Sequence, residues 1–377
     1  MDSSEQDRQK KRRLARDGEY ANTSKPTSSF RPAGGRHWTI SVAIPGSILS
    51  TSCGRDDQRA AVVSRVARAA AVFGVDEIVV YDDSPAGSRP RAVDPAAYAG
   101  DVDPCGYIEH LLRYLEAPPF MRRVLFPVHP NLRGAGVLIG LDIPSHPHPS
   151  GRLPYCEGIT TAGTLPPSGS DAATAGASSG DGGGDGRKKR KHPKEAEKNY
   201  TLVDVGGKSP VVLAGHNIAP NTRVTLHLNP DDPLRGELVA PGAPREDGGY
   251  YWGFSVRRCA SLSAIFEGCA FDGGYDLSIG TSERGQPVSE AFPDTPKKKK
   301  GSEFSHLLVV FGGPRGIEYA AENDAQLQDM GIVRGKTKEL FDHWVNILPG
   351  QDSRSIRTEE ALLIGLTSLR RLWEGGQ

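Results

Sequence analysis

From His37 onward, unbroken apolar runs alternate with short amphipathic stretches. "WTISVAIPGSIL" (38–49) is a buried-type strand closed by Pro45-Gly46. Residues 57–73, "DQRAAVVSRVARAAAVF", set Ala and Val at helical spacing, and Arg59, Arg65 and Arg68 share the other face. "DEIVVYDD" (76–83) is a second buried strand, and "YIEHLLRYLE" (107–116) a short helix. "RRVLFPVHP" (122–130) reads as a strand and then a turn. This alternation predicts an α/β fold with a largely parallel sheet.

The pattern changes after about Leu141. Residues 161–199 are Gly, Ser, Ala and Pro followed by "RKKRKHPK", a disordered insertion by composition. Short β-runs follow: "YTLVDVGG" (200–207), "SPVVLAG" (209–215), "TRVTLHLN" (222–229), "GELVAP" (236–241) and "GYYWGFSVRRC" (249–259). Their spacing and turns suit a small β-barrel or sandwich. The α/β pattern then returns. "SLSAIFEG" (261–268) is helical, and "YDLSIGTSERG" (275–285), "HLLVVFGGPRGIE" (306–318) and "FDHWVNILPGQ" (341–351) are strands running into loops. "RTEEALLIGLTSLRRLW" (357–373) is an amphipathic helix with Thr358 as its expected N-cap. The expected organisation has four parts: a disordered basic tail at 1–36, the first part of an α/β domain at 37–141, an inserted β domain at 142–259, and the second part at 260–377.

Composition sharpens this in three ways. The hydrophobic share of 37 % is low for one compact globule of 377 residues, which supports disordered segments. The formal net charge is zero, yet residues 1–36, 186–198 and 297–300 carry +4, +5 and +4. The remainder is therefore net acidic with basic arms, so neutrality does not argue against RNA. The five cysteines are scattered, without a C-x-x-C pair, as in a reducing compartment. No apolar run reaches the ~18 residues of a membrane span, and no secretory signal is expected.

Chemistry concentrates in three loops after apolar strands: 279–285 (IGTSERG), 311–316 (FGGPRG) and 346–351 (NILPGQ). In open α/β sheets, ligands bind at the carboxyl ends of strands. Glycine there lets the backbone approach a ligand, although it also simply makes tight turns. "MGIVRGKT" (330–337) fails as a P-loop because Gly331 is one residue too close to Gly335-Lys336-Thr337 and no apolar strand precedes it. "GGPRG" lacks dinucleotide-fingerprint spacing. Ser47 and Ser282 lack a nucleophile-elbow context. His146 and His148 sit in a Pro-rich turn without partners at ligand spacing, so no metal is expected.

"IGTSERG", "LVVFGGPRGIE" and "PGQDSRSIRTEEALLIGL", with "SVAIPGSIL" and "FGVDEIVVYDD", resemble the SPOUT superfamily of RNA methyltransferases. The similarity is to the eukaryotic and archaeal subgroup with an OB-like insertion, and it covers roughly residues 37–372 apart from the low-complexity inserts. The resemblance implies an α/β trefoil-knot fold that binds S-adenosylmethionine, and a homodimer whose site draws on both subunits. It implies cofactor contacts from Thr281, Arg284 and Gly285, from Gly312 and Gly313, from Asn346, Ile347, Pro349 and Gly350, and from Ile356 and Thr358. Methyl transfer from a sulfonium needs an acceptor held in line and made nucleophilic. Arg284 and Arg357 are the candidate catalytic cations for a uridine anion. The bland alternative for Arg284 is a phosphate contact that positions RNA. Glu283 and Glu318 are the only base candidates seen for a ribose hydroxyl. In the OB-like module, Tyr251, Trp252, Arg257 and Arg258 are the candidate RNA contacts.

The expected activity is methylation of a base in ribosomal RNA, with uridine N3 favoured over ribose. The alternative is a weakly catalytic or non-catalytic RNA-bound assembly factor. The basic segments suggest nuclear or nucleolar delivery, and the family also invites a spindle or kinetochore role.

Overall fold

The computed structural model describes residues 32–373 except 33, 52–54, 89–93, 95, 148–152, 163–199, 294–303 and 333. Most of the basic tail, nearly all of the low-complexity insert, the lysine run and His148 lie outside the described residues.

Six strands form a parallel sheet in the order β11-β9-β10-β1-β2-β8. They are β1 (Thr39–Pro45), β2 (Glu77–Tyr81), β8 (Ser255–Cys259), β9 (Leu277–Pro287), β10 (His306–Val310) and β11 (His343–Asn346). β1, β2 and most of β10 are buried residue by residue. That is why they read as continuous apolar runs: a sheet covered on both faces has no polar side. Successive side chains point to opposite faces. Ile78 and Val80 pack into one layer with α1 (Asp56–Phe73), α2 (Pro104–Glu116) and the last helix. Val79 and Tyr81 pack into the other with Ile265, Ile317 and Phe341. The α/β expectation holds.

Five further strands form an antiparallel sheet in the order β5-β4-β3-β6-β7. They are β3 (Tyr155–Thr161), β4 (Tyr200–Asp204), β5 (Val211–Ala214), β6 (Arg223–Leu228) and β7 (Gly236–Val239). The edge strands β5 and β7 approach through a bridge between Val212 and Arg235, so the sheet is nearly closed like a barrel. Val203, Val211, Leu213, Val224 and Leu226 fill it.

Three local expectations are corrected. The 249–259 run does not end in the β module: Ser255–Cys259 pairs in parallel with β2. Pairing decides sheet membership here, and an apolar run carries no record of its partner. Residues Arg122–Leu125 are a helical turn, α3, rather than a strand. Arg122 Nε and Nη2 donate to the carbonyls of Ala117 and Leu115, which turns this segment back against α2. In the last helix, the cap position is Arg357, not Thr358.

Candidate functional site

The three loops meet at the carboxyl ends of the adjacent strands β11, β9 and β10. β9 pairs with β11 up to Gly280 opposite Trp344 and resumes at Gln286 opposite Val345. Residues 281–285 therefore leave the ladder as an excursion between two paired positions. Thr281 Oγ1 ties its base to the Val310 carbonyl at 3.0 Å. Asn346 Nδ2, at the end of β11, reaches the Glu283 carbonyl at 2.9 Å and joins the first loop to the third. The Asn346 side-chain oxygen accepts from Leu348 N at 3.0 Å and shapes the start of that third loop. Gly350 ends it at φ 74°, a conformation L-residues rarely take.

The second loop follows β10. Tyr81 donates its phenol to the Phe311 carbonyl at 2.7 Å. A side chain at Gly312 would place its Cβ 2.7 Å from Ile317 N and 2.8 Å from Gly316 C, so the turn admits only glycine. Around these strands, α4 (Ser263–Glu267) and α5 (Ile317–Glu322) cover one face of the sheet, and α6 (Thr358–Leu369) covers the other. Thr358 is the first residue of α6, and its hydroxyl donates to the Gly312 carbonyl at 2.8 Å. The Glu360 carboxylate accepts from Arg357 N at 3.0 Å, which caps the helix. Ser368 Oγ donates to the Ile347 carbonyl at 3.1 Å. Thus Thr281, Gly285, Gly312, Gly313, Asn346, Ile347 and Thr358 are brought together. Pro349, Gly350, Ile356 and Arg357 border the same rim by sequence, with Pro349, Gly350 and Arg357 exposed.

Arg284 lies on the first loop with 69 % of its side chain exposed. Its guanidinium pairs loosely with Glu318, Nη1 lying 3.9 Å from Oε1. Ser282 Oγ also donates to Glu318 Oε1, at 3.4 Å. The guanidinium is thus free to turn toward an anion over the loops. Partly exposed backbone groups at Gly312, Gly313 and Asn346, with the apolar side of Ile347, form a neutral cradle. Such a set fits a neutral purine nucleoside, and the Glu318 carboxylate beside it fits a cationic substituent.

The four residues expected to face RNA from the β module each make contacts inside the protein. Tyr251 donates to the Val75 carbonyl at 2.9 Å, and burial pushes its phenol far up. Trp252 is 9 % exposed and donates its indole N–H to Glu157 Oε1 at 2.6 Å. Arg257 donates to Glu77 at 2.8 Å and to Tyr275 Oη at 2.8 Å. Arg258 grips Asp103 with two bonds of 2.7 Å. These contacts join strands and helices far apart in the chain.

Glu157 is the hinge of that network. It is 3 % exposed and accepts from Trp252, from Thr225 Oγ1 at 2.7 Å and from Arg223 Nε at 2.5 Å. Arg223 also binds Glu116 of α2 through both terminal nitrogens, at 2.7 and 2.9 Å. The β module is thereby tied to the α/β layer by part-buried, charge-assisted bonds. Glu157→Gln is expected to lower unfolding stability by about 1–3 kcal/mol, read as a lower urea midpoint with unchanged cofactor affinity.

Among the described residues, no group of three or more His, Cys, Asp or Glu side chains could hold a metal, and no helix is long and apolar enough to cross a membrane. A family model described as "Putative RNA methyltransferase" matches residues 39–369. A human protein named 28S rRNA (uridine-N(3))-methyltransferase is 36 % identical over 342 residues, covering 89 % of this chain and 79 % of its own length. A Drosophila melanogaster protein of the same name is 34 % identical over 343 residues, and the match covers 88 % of this chain. The chain spans only 62 % of that fly relative's length. An uncharacterised protein of Halobacterium salinarum is 30 % identical over 340 residues, covering 88 % of this chain and 98 % of its own.

Proposed function

We infer the activity from one premise: the chain belongs to this family of RNA methyltransferases. It transfers a methyl group from S-adenosylmethionine to N3 of a uridine in the RNA of the large ribosomal subunit. The observation that carries this reading is the convergence of three loops at the carboxyl ends of β9, β10 and β11, tied by Asn346 to Glu283 and by Thr358 to Gly312. The names of the human and fly relatives supply the acceptor atom.

When bound, S-adenosylmethionine supplies an electrophilic methyl on a sulfonium. The residues of this chain do the rest. The backbone of the second and third loops binds the nucleoside part. Arg284 stabilises the negative charge that develops on the uridine ring. Arg357, exposed at the start of α6, is the second cation for that role. We read the C-terminal region as the SPOUT trefoil knot. The strand order β11-β9-β10 and the packing of α6 on α1 support it. Leu348 of the third loop and Leu363 of α6 are exposed, which suits a homodimer interface. The nearly closed five-stranded sheet supports the OB-like reading of the inserted module. The basic segments suit nucleolar delivery.

The test is direct. Purified protein is incubated with methyl-labelled S-adenosylmethionine and 28S rRNA from cells lacking it, and nucleosides are resolved. Labelled N3-methyluridine is expected, and label only on ribose or on another base would refute the reading. Thr358→Val removes the hydroxyl bond to Gly312 and leaves that carbonyl without its donor. It is expected to weaken cofactor affinity about five-fold in calorimetry, in line with ~1 kcal/mol for one hydrogen bond.

A further inference from the structure

We propose that the cleft at the carboxyl ends of β1 and β2 seats the acceptor uridine, with Asp83 as the base that takes its N3 proton. This rests on the methyltransferase reading above. The cleft has a volume of about 370 Å³. That lies within the range of pockets that hold small organic groups. It adjoins the proposed cofactor loops, because Pro314 and Arg315 of the second loop line it. A side chain at Gly313 would press on Ser47 Oγ and lie 3.2 Å from Asp83 Oδ2. The second loop therefore stands directly over the Ser47–Asp83 pair.

Asp83 is 4 % exposed and lines the cleft. Ser47 holds it from two sides: its N–H donates to Oδ1 at 3.2 Å and its hydroxyl to Oδ2. Each carboxylate oxygen keeps a further accepting position. Other acids of the cleft are engaged. Arg258 grips Asp103, and Arg59 binds Asp101. Asp82 accepts from Ser84 N at 2.9 Å. Among the described residues, no ion pair neutralises Asp83. At the mouth, the Arg315 guanidinium lies 4.7 Å over the Tyr319 ring, a flat polar and aromatic pair against which a pyrimidine stacks.

The chemistry closes with these groups. Uridine N3 lies between two ring carbonyls and carries one proton. That proton passes to an Asp83 oxygen. The N3 electron pair forms the bond to the methyl carbon as the carbon–sulfur bond breaks, and the sulfonium charge is quenched to a neutral thioether. Solvent then takes the proton from Asp83. Cytidine has no proton at N3, so a carboxylate there meets a lone pair and disfavours it.

Burial raises the proton affinity of Asp83 above the usual carboxylate range, and the Ser47 bonds oppose that only in part. The titratable or charged groups around it are Asp82 beside it, Tyr81 on the same strand end, Asp101, Asp103 capping α2 and Cys105 in its first turn, and Arg315 and Tyr319 across the cleft. A more basic carboxylate is the better proton acceptor near neutral pH.

The test compares wild type, Asp83→Asn and Asp83→Glu on 28S rRNA from cells lacking the protein. Asp83→Asn keeps one oxygen for the Ser47 N–H, and its amide N–H can donate to Ser47 Oγ in place of the second bond, but it cannot take the proton. Its kcat is expected to fall at least ~100-fold, within the usual range for loss of a general base. Calorimetric affinity for S-adenosylmethionine should stay within about two-fold, and Asp83→Glu should recover part of the rate. Wild-type kcat should fall as pH drops through the raised Asp83 titration, and that acid limb should vanish in Asp83→Asn. In protein without cofactor, the 13C-carboxyl resonance lost in Asp83→Asn should titrate above the ordinary carboxylates. If wild type methylates uridine and Asp83→Asn does so equally fast, the base assignment falls alone. If Asp83→Asn loses cofactor affinity in step with rate, Asp83 is a support of the loop and the assignment falls. If wild type binds cofactor yet modifies no uridine, the functional reading falls and the assignment with it.

Discussion

Gly312→Val is expected to abolish S-adenosylmethionine binding, with a loss of affinity above ~100-fold, or about 2.7 kcal/mol. The reason is local and steric. The first carbon of the new side chain would sit 2.7 Å from Ile317 N and 2.8 Å from Gly316 C. Both are backbone atoms at the start of α5, so neither can swing aside. Relief comes only by moving the loop, at the ~1–3 kcal/mol typical of overpacking. A moved loop takes the Gly312 carbonyl from Thr358 and shifts the cradle between α6 and the third loop. Gly312 itself lies half-exposed at the rim of the sheet, so far-UV circular dichroism should be unchanged. Calorimetry at several cofactor concentrations reads the effect. Affinity within three-fold of wild type would remove this loop from the proposed site.

Arg284→Ala is expected to lower kcat for uridine methylation about 100-fold, the usual consequence of losing one charge-stabilising donor. Its exposed side chain and loose 3.9 Å approach to Glu318 mean the fold does not depend on it. Exposed pairs of this kind contribute little to stability. The unchanged quantity is therefore the melting temperature, and the changed one is the rate. A kcat effect with little change in KM for RNA marks charge stabilisation in the transition state. A raised KM at constant kcat marks a phosphate contact, and would return Arg284 to a positioning role. Arg284→Lys separates these further, because a point cation keeps the charge but loses the planar fork.

Much of the fold was legible because burial writes itself into the chain. β1, β2 and β10 are covered on both faces, so their apolar runs are continuous. The helices at 56–73 and 358–369 carry the spacing of a covered face. The three loops were legible because glycine and proline punctuate the ends of those strands. Long-range pairing was not. Arg257 and Arg258 look like basic contacts until Glu77 and Asp103 are seen beside them, more than 150 positions away in the chain. Trp252 looks like a stacking ring until Glu157 takes its N–H. The Ser47–Asp83 pair is hidden in the sequence for the same reason. In the sequence Ser47 offers only a hydroxyl without a nucleophile elbow, and nothing local links it to the second aspartate of "VYDD" 36 positions on. The available signal was an acidic pair at the carboxyl end of a buried strand, where open α/β sheets bind ligands.

The measurement that tests the account most directly is modification mapping of 28S rRNA from cells lacking the protein, rescued with wild type or with Arg284→Ala. One N3-methyluridine should disappear on loss, return fully with wild type, and remain absent or faint with the variant. A growth defect with every methylated uridine intact would contradict the account, and would favour an RNA-bound assembly factor that keeps the pocket without using it.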